Sequence, residues 1–155
     1  MEPIVAPMTA EALASYLPHQ LHDFLGIPVR VNPRTKLISY SAWPWPAKRI
    51  IVGPQWFMLD PRTRAAILLH EAGHCKLFHL EKRLASLWRL AWSPKSLLAL
   101  CVEQELEADT YAAERGYGAE LIMLYSTLTE QESIYHPSVA ERCKRIRAVM
   151  QATGA

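Results

Sequence analysis

What this chain lacks narrows its class before any motif is read. It has three cysteines, Cys75, Cys101 and Cys143, and no Cys-x-x-Cys pair. That excludes a disulfide framework and a cysteine-built structural metal knot, and it fits a reducing compartment. No uncharged apolar run approaches the roughly 20 residues of a membrane span. The nearest stretch, residues 84–102, is interrupted by Arg89, Pro94 and Lys95. The first residues, Met1-Glu2-Pro3-Ile4-Val5, are acidic rather than basic and do not lead into a signal-peptide core. A net charge of +2 gives no argument for nucleic acid or an acidic partner. Repeats and low-complexity tracts are absent. These absences lead us to expect a soluble, cytoplasmic chain.

The 155 residues suit a single domain, and the half that is apolar is enough for a core. Thr9 caps a first helix that Pro18 interrupts, so residues 1–35 read as an N-terminal helical extension. Residues 28–31, 36–41 and 49–52 read as three short strands, with a turn at Asn32-Pro33-Arg34-Thr35. Asp60-Pro61 starts a helix that runs to about Arg83, and Ser93-Pro94 starts another that stops at Gly116. A shorter helix follows Gly118, and His136-Pro137-Ser138 opens a last one reaching Met150. The expected class is α+β: an N-terminal helix, a small three-stranded sheet, then helices.

The chemistry is concentrated in His70-Glu71-Ala72-Gly73-His74. Two histidines four apart share one helix face, so both imidazoles can grip one metal ion. Glu71 stands where it can take a proton from an attacking water. The preceding Ala65-Ala66-Ile67-Leu68-Leu69 is apolar all round, which predicts a buried helix. Buried imidazoles and a carboxylate need partners, and one zinc ion per chain supplies them.

Catalytic zinc takes a third protein ligand. A histidine six residues after His74 would supply it in one zinc pattern, but Leu80 stands there and Leu77 replaces that pattern's glycine. His79 lies five residues after His74, off the ligand face of a continuous helix, and reads as a helix-end histidine or one behind the ligands. The other source is the acidic run Glu103-Gln104-Glu105-Leu106-Glu107-Ala108-Asp109. Glu105 has Asp109 one turn later, a ligand with a carboxylate behind it for the spare N–H of His70 or His74. Glu103 and Glu107 read as a solvated face. Gly73 fits a close helix approach that lets Glu105 reach the metal.

Three segments together resemble the M48 family of gluzincin metallopeptidases and, within it, the small soluble members called minigluzincins. They are Leu68-Leu69-His70-Glu71-Ala72-Gly73-His74; then Glu105-Leu106-Glu107-Ala108-Asp109-Thr110-Tyr111-Ala112; then His136-Pro137 with Arg142. The likeness covers residues 36–150. It implies a zincin-like fold and a zinc endopeptidase. His70, His74 and Glu105 are then the zinc ligands, Glu71 the base, and His136 an aid to the transition state. Arg142 would support the carboxylates. The chain departs from many members in having no transmembrane helices, and only 30 residues lie between His74 and Glu105.

A peptide or unfolded protein would add to a strand edge formed by Leu37, Ile38, Ser39, Tyr40 and Ser41. A competing reading is a latent or non-catalytic zinc domain that binds a partner. A deformylase is disfavoured because its upstream Glu-Gly-Cys-Leu segment is missing. Residues 84–92, with Trp88 and Trp92 a turn apart among basic residues, read as a core or lid helix, or as a membrane-surface contact. Trp43 and Trp45 either line the cleft or cover the sheet end. His19 and His22, three apart, read as surface residues on a helix. Substrate, cleavage preference and oligomeric state have no signal.

Overall fold

The computed structural model describes residues 22–42, 48–87, 93–127 and 136–154. The expected N-terminal helix, His19, Trp43, Trp45, Trp88 and Trp92 lie outside them. Four strands come first: β1 (His22–Phe24), β2 (Ile27–Val31), β3 (Ser39–Ala42) and β4 (Arg49–Val52). A 3₁₀ turn, Pro54–Met58, leads into α1 (Pro61–Lys76) and α2 (His79–Ala85). Then come α3 (Pro94–Ala112), a π turn at Ala113–Tyr117, α4 (Gly118–Thr127) and α5 (Val139–Thr153). The class is α+β, as expected, and no described helix is long and apolar enough to cross a membrane.

Among the described residues the sheet has four strands rather than three, in the order β1-β2-β4-β3. β1 is the addition, and it places His22 on a strand instead of a helix. Its hairpin with β2 turns through Leu25 and Gly26, both at positive φ (52° and 74°), as a two-residue hairpin turn requires. β2 and β4 are parallel, with Val29 beside Ile50 and Val31 beside Val52, all four buried. β3 runs antiparallel to β4 and is the last strand of the sheet. It begins at Ser39, not at Lys36. Leu37 and Ile38 lead into it, held by Leu37 N donating to Thr35 Oγ1 (3.1 Å) and Gly53 N donating to Ile38 O (2.8 Å). Asn32 Oδ1 accepts from Arg34 N (3.0 Å), forming the expected turn.

α1 is buried on two sides, which accounts for its apolar run. Ile67, Ala72 and Cys75 pack with the sheet residues and with Trp56 and Phe57. Ala66 and Leu69 pack with Leu121, Tyr125, Cys143 and Ile146 of the later helices. All three cysteines are buried and free. α1 does not continue to Arg83. It ends at Lys76, and Phe78 takes left-handed dihedrals (φ 58°, ψ 38°) before α2 begins. α3 likewise stops at Ala112, where the backbone widens into the π turn and Gly116 (φ 80°) redirects it into α4.

Candidate metal centre

The site is assembled by one helix start and one close helix approach. Asp60 caps α1 by accepting from Arg62 N (3.0 Å) and Thr63 N (3.1 Å), and Pro61 occupies the first turn. This sets the phase that puts His70 and His74 on one face. α3 crosses that face at Gly73. A Cβ there would sit 3.1 Å from Ala108 Cα and 3.1 Å from Tyr111 Cβ, so any larger residue would need α3 to give by a few tenths of an ångström. Glu105, Glu107 and Asp109 are thereby brought beside the histidines.

His70, His74 and Glu105 form a group that can hold a metal ion. His70 Nε2 lies 3.1 Å from His74 Nε2 and 3.6 Å from Glu105 Oε2, and His74 Nε2 lies 3.4 Å from Glu105 Oε1. Three ligand atoms at about 2.0–2.1 Å from one tetrahedral ion stand roughly 3.3 Å apart. The observed spacing matches. His136 Nδ1 is 3.3 Å from Glu105 Oε2, and Arg83 Nη2 is 3.4 Å from Glu105 Oε1.

Asp109, fully buried, is the hub behind His70. It accepts from His70 Nδ1 (2.9 Å), Tyr125 Oη (2.6 Å), Arg142 Nε (2.7 Å) and Arg142 Nη2 (2.8 Å). Arg142 also donates to Tyr125 Oη (2.5 Å) and stacks over its ring at 4.0 Å. Burial works to raise the Asp109 carboxyl, but the hydrogen bonds from Arg142 and His70 prevail and bring it to about 2. Burial works against a charged His70, yet Asp109 and Glu105 outweigh it and raise His70 to about 10. His74 is pushed the other way, by burial and then by the neighbouring His70 charge. Glu105 resists its burial because His136 and His70 hold its carboxyl well below the usual range.

Glu71 is buried at the cleft, where Ser39 Oγ of the edge strand donates to its Oε1 (2.8 Å). The cleft encloses about 550 Å³. One wall is Lys36, Leu37, Ile38, Ser39 and Tyr40; Ile67, Leu121 and Leu124 give an apolar patch; the metal-site residues with Glu71, Arg83, Tyr125, His136 and Arg142 complete it. Ser41 continues β3 opposite Ile50.

The structure therefore gathers His70, Glu71, His74, Glu105, Asp109, His136 and Arg142 around one cleft. Within His136-Pro137-Ser138 it is Ser138 that caps α5, accepting from Glu141 N (3.2 Å). Glu107 is not a merely solvated acid, since His79 Nε2 donates to its Oε2 (2.9 Å). Sequence reasoning missed Tyr125, Arg83 and the Ser39 to Glu71 contact. Tyr125 and Arg83 carry no spacing signal, because they reach the site from α4 and α2 only after folding. No protein-family model, curated protein or solved structure matches this chain.

Proposed function

We propose that this chain is a zinc-dependent endopeptidase with a zincin-like arrangement, in which a peptide or unfolded protein is cut in the cleft beside Glu71. The single observation that carries the reading is the convergence of His70 Nε2, His74 Nε2 and a Glu105 oxygen at 3.1–3.6 Å, with a buried carboxylate next to them. Two imidazoles and one carboxylate are a zinc-hydrolase donor set, leaving a position open. Bound there, zinc polarises a carbonyl and lowers the pKa of water toward about 7. The resemblance to the M48 family points the same way.

Each residue then has a task. Glu71 accepts a proton from the attacking water and delivers it to the leaving amine. Ser39 Oγ holds one Glu71 oxygen and so orients the carboxylate toward the cleft. His136 sits beside Glu105, placed to hydrogen-bond an oxyanion as it develops. The outer edge of β3 offers main-chain groups to an extended substrate. The apolar patch of Ile67, Leu121 and Leu124 receives a substrate side chain.

The test is cleavage of an unfolded protein by the zinc-loaded chain beside Glu71→Gln, with intact-mass analysis of both. We expect fragments only with the native chain, and a loss of at least about 10²-fold in the variant, within the range for a lost general base. A fully active Glu71→Gln protein sinks the mechanism. A zinc-loaded native chain that cuts nothing replaces the peptidase reading with a latent or partner-binding zinc domain.

A further inference from the structure

The backbone break after α1 has a use that the endopeptidase reading leaves unassigned. Phe78 adopts left-handed dihedrals although it is not glycine, and its ring is exposed. The turn folds the chain back so that His79 is buried, with 1% of its surface exposed, against His74. Gln104 Nε2 of α3 donates to His79 O (3.1 Å), and Arg83 Nε donates to Gln104 Oε1 (2.5 Å), which fixes the turn. The imidazole of His79 then bridges two groups. Its Nδ1 is 2.8 Å from His74 Nδ1, and its Nε2 is 2.9 Å from Glu107 Oε2.

The hydrogens follow from the partners. An ionised carboxylate only accepts, so His79 Nε2 carries a hydrogen. One hydrogen lies between the two Nδ1 atoms. Placed on His74, it leaves His74 Nε2 with a free lone pair pointing at His70 Nε2 and Glu105. Placed on His79, it would force the His74 hydrogen onto Nε2 and block coordination.

We propose that His79 and Glu107 are positioning residues that set the tautomer and donor strength of His74 through a two-step hydrogen-bond relay. α3 thus governs the whole triad: Glu105 directly, Asp109 behind His70, and Glu107 behind His74 by way of His79. This rests on the metal reading of the triad.

The test is zinc affinity by competition with a chromophoric chelator, together with ¹⁵N imidazole spectra of the metal-free chain. His79→Phe is expected to bind zinc roughly 10–100-fold more weakly, the usual effect of removing a group behind a metal-bound histidine. Glu107→Leu should weaken it in the same direction. Glu107→Gln should recover part of the loss, because its amide oxygen still accepts from His79. The double variant His79→Phe with Glu107→Leu should be no worse than His79→Phe alone. Folded variants that bind within twofold of the native chain overturn the proposal, as does a double variant whose losses multiply. Should His79→Phe not fold, Glu107→Leu decides, since that side chain is 39% exposed. The native spectrum should show His74 with its hydrogen on Nδ1, shifting in Glu107→Leu; the opposite tautomer overturns the relay. A native chain that binds no zinc overturns the metal reading instead, and the metal-free spectra then judge the relay independently.

Discussion

His70 keeps its proton up to about pH 10 in the metal-free chain, since Asp109 and Glu105 overcome the effect of burial. An ion entering the triad must displace that proton. Zinc binding near pH 6 should therefore release about one proton per ion, measured by calorimetry in buffers of different ionisation heat. Affinity should rise with pH over about 5.5 to 7.5, and a flat profile would refute the assignment. The same proton links folding to pH with a definite sign. A raised histidine contributes stability in full below its unfolded pKa of about 6.5 and loses it as pH climbs through about 10. Asp109 is the other critical residue. Asp109→Ala strands Arg142, Tyr125 and His70 at once. We expect a loss of about 3–5 kcal/mol in denaturant unfolding, the range for breaking a buried ion pair. A loss below about 1 kcal/mol would mean that the network is relaxed by water.

Among the elements, the crossing of α1 over α3 carries the site, and Gly73 sets its depth. On propensity alone Gly73→Ala should gain about 1 kcal/mol. The contacts at 3.1 Å with Ala108 Cα and Tyr111 Cβ oppose that gain, since neither atom is the end of a flexible side chain. A net loss of about 1–3 kcal/mol is expected from overpacking, with weaker zinc binding as Glu105 is pushed back. A stabilised variant would show that the helices have room to part. The ligand helix, the acidic helix and the parallel pair's strands were legible because each has a cap, a period or a proline to announce it. Two things were not. The break at Phe78 has no glycine or proline to mark it, so an unbroken α1 sent His79 to the wrong face. β1 is three residues long and owes its existence to pairing with β2, a tertiary cause with little local pattern.

At the scale of the molecule, the metal reading makes stability depend on the ion. Zinc at about 1,000 times its dissociation constant adds about 4 kcal/mol. For a chain of this size that is a rise in Tm of roughly 8–16 °C. Chelator should remove it, Glu105→Ala should abolish most of it, and a Tm indifferent to zinc would exclude the triad as a metal site. The two apolar clusters meet at α1, which belongs to both. No edge of either cluster can peel away and leave the other intact while freeing the helix between them. Residues 66–75 should consequently have the slowest-exchanging amides among the described residues, opening only when both clusters open. An ion held by His70 and His74 would then come and go through the mouth of the cleft, on a timescale unrelated to unfolding.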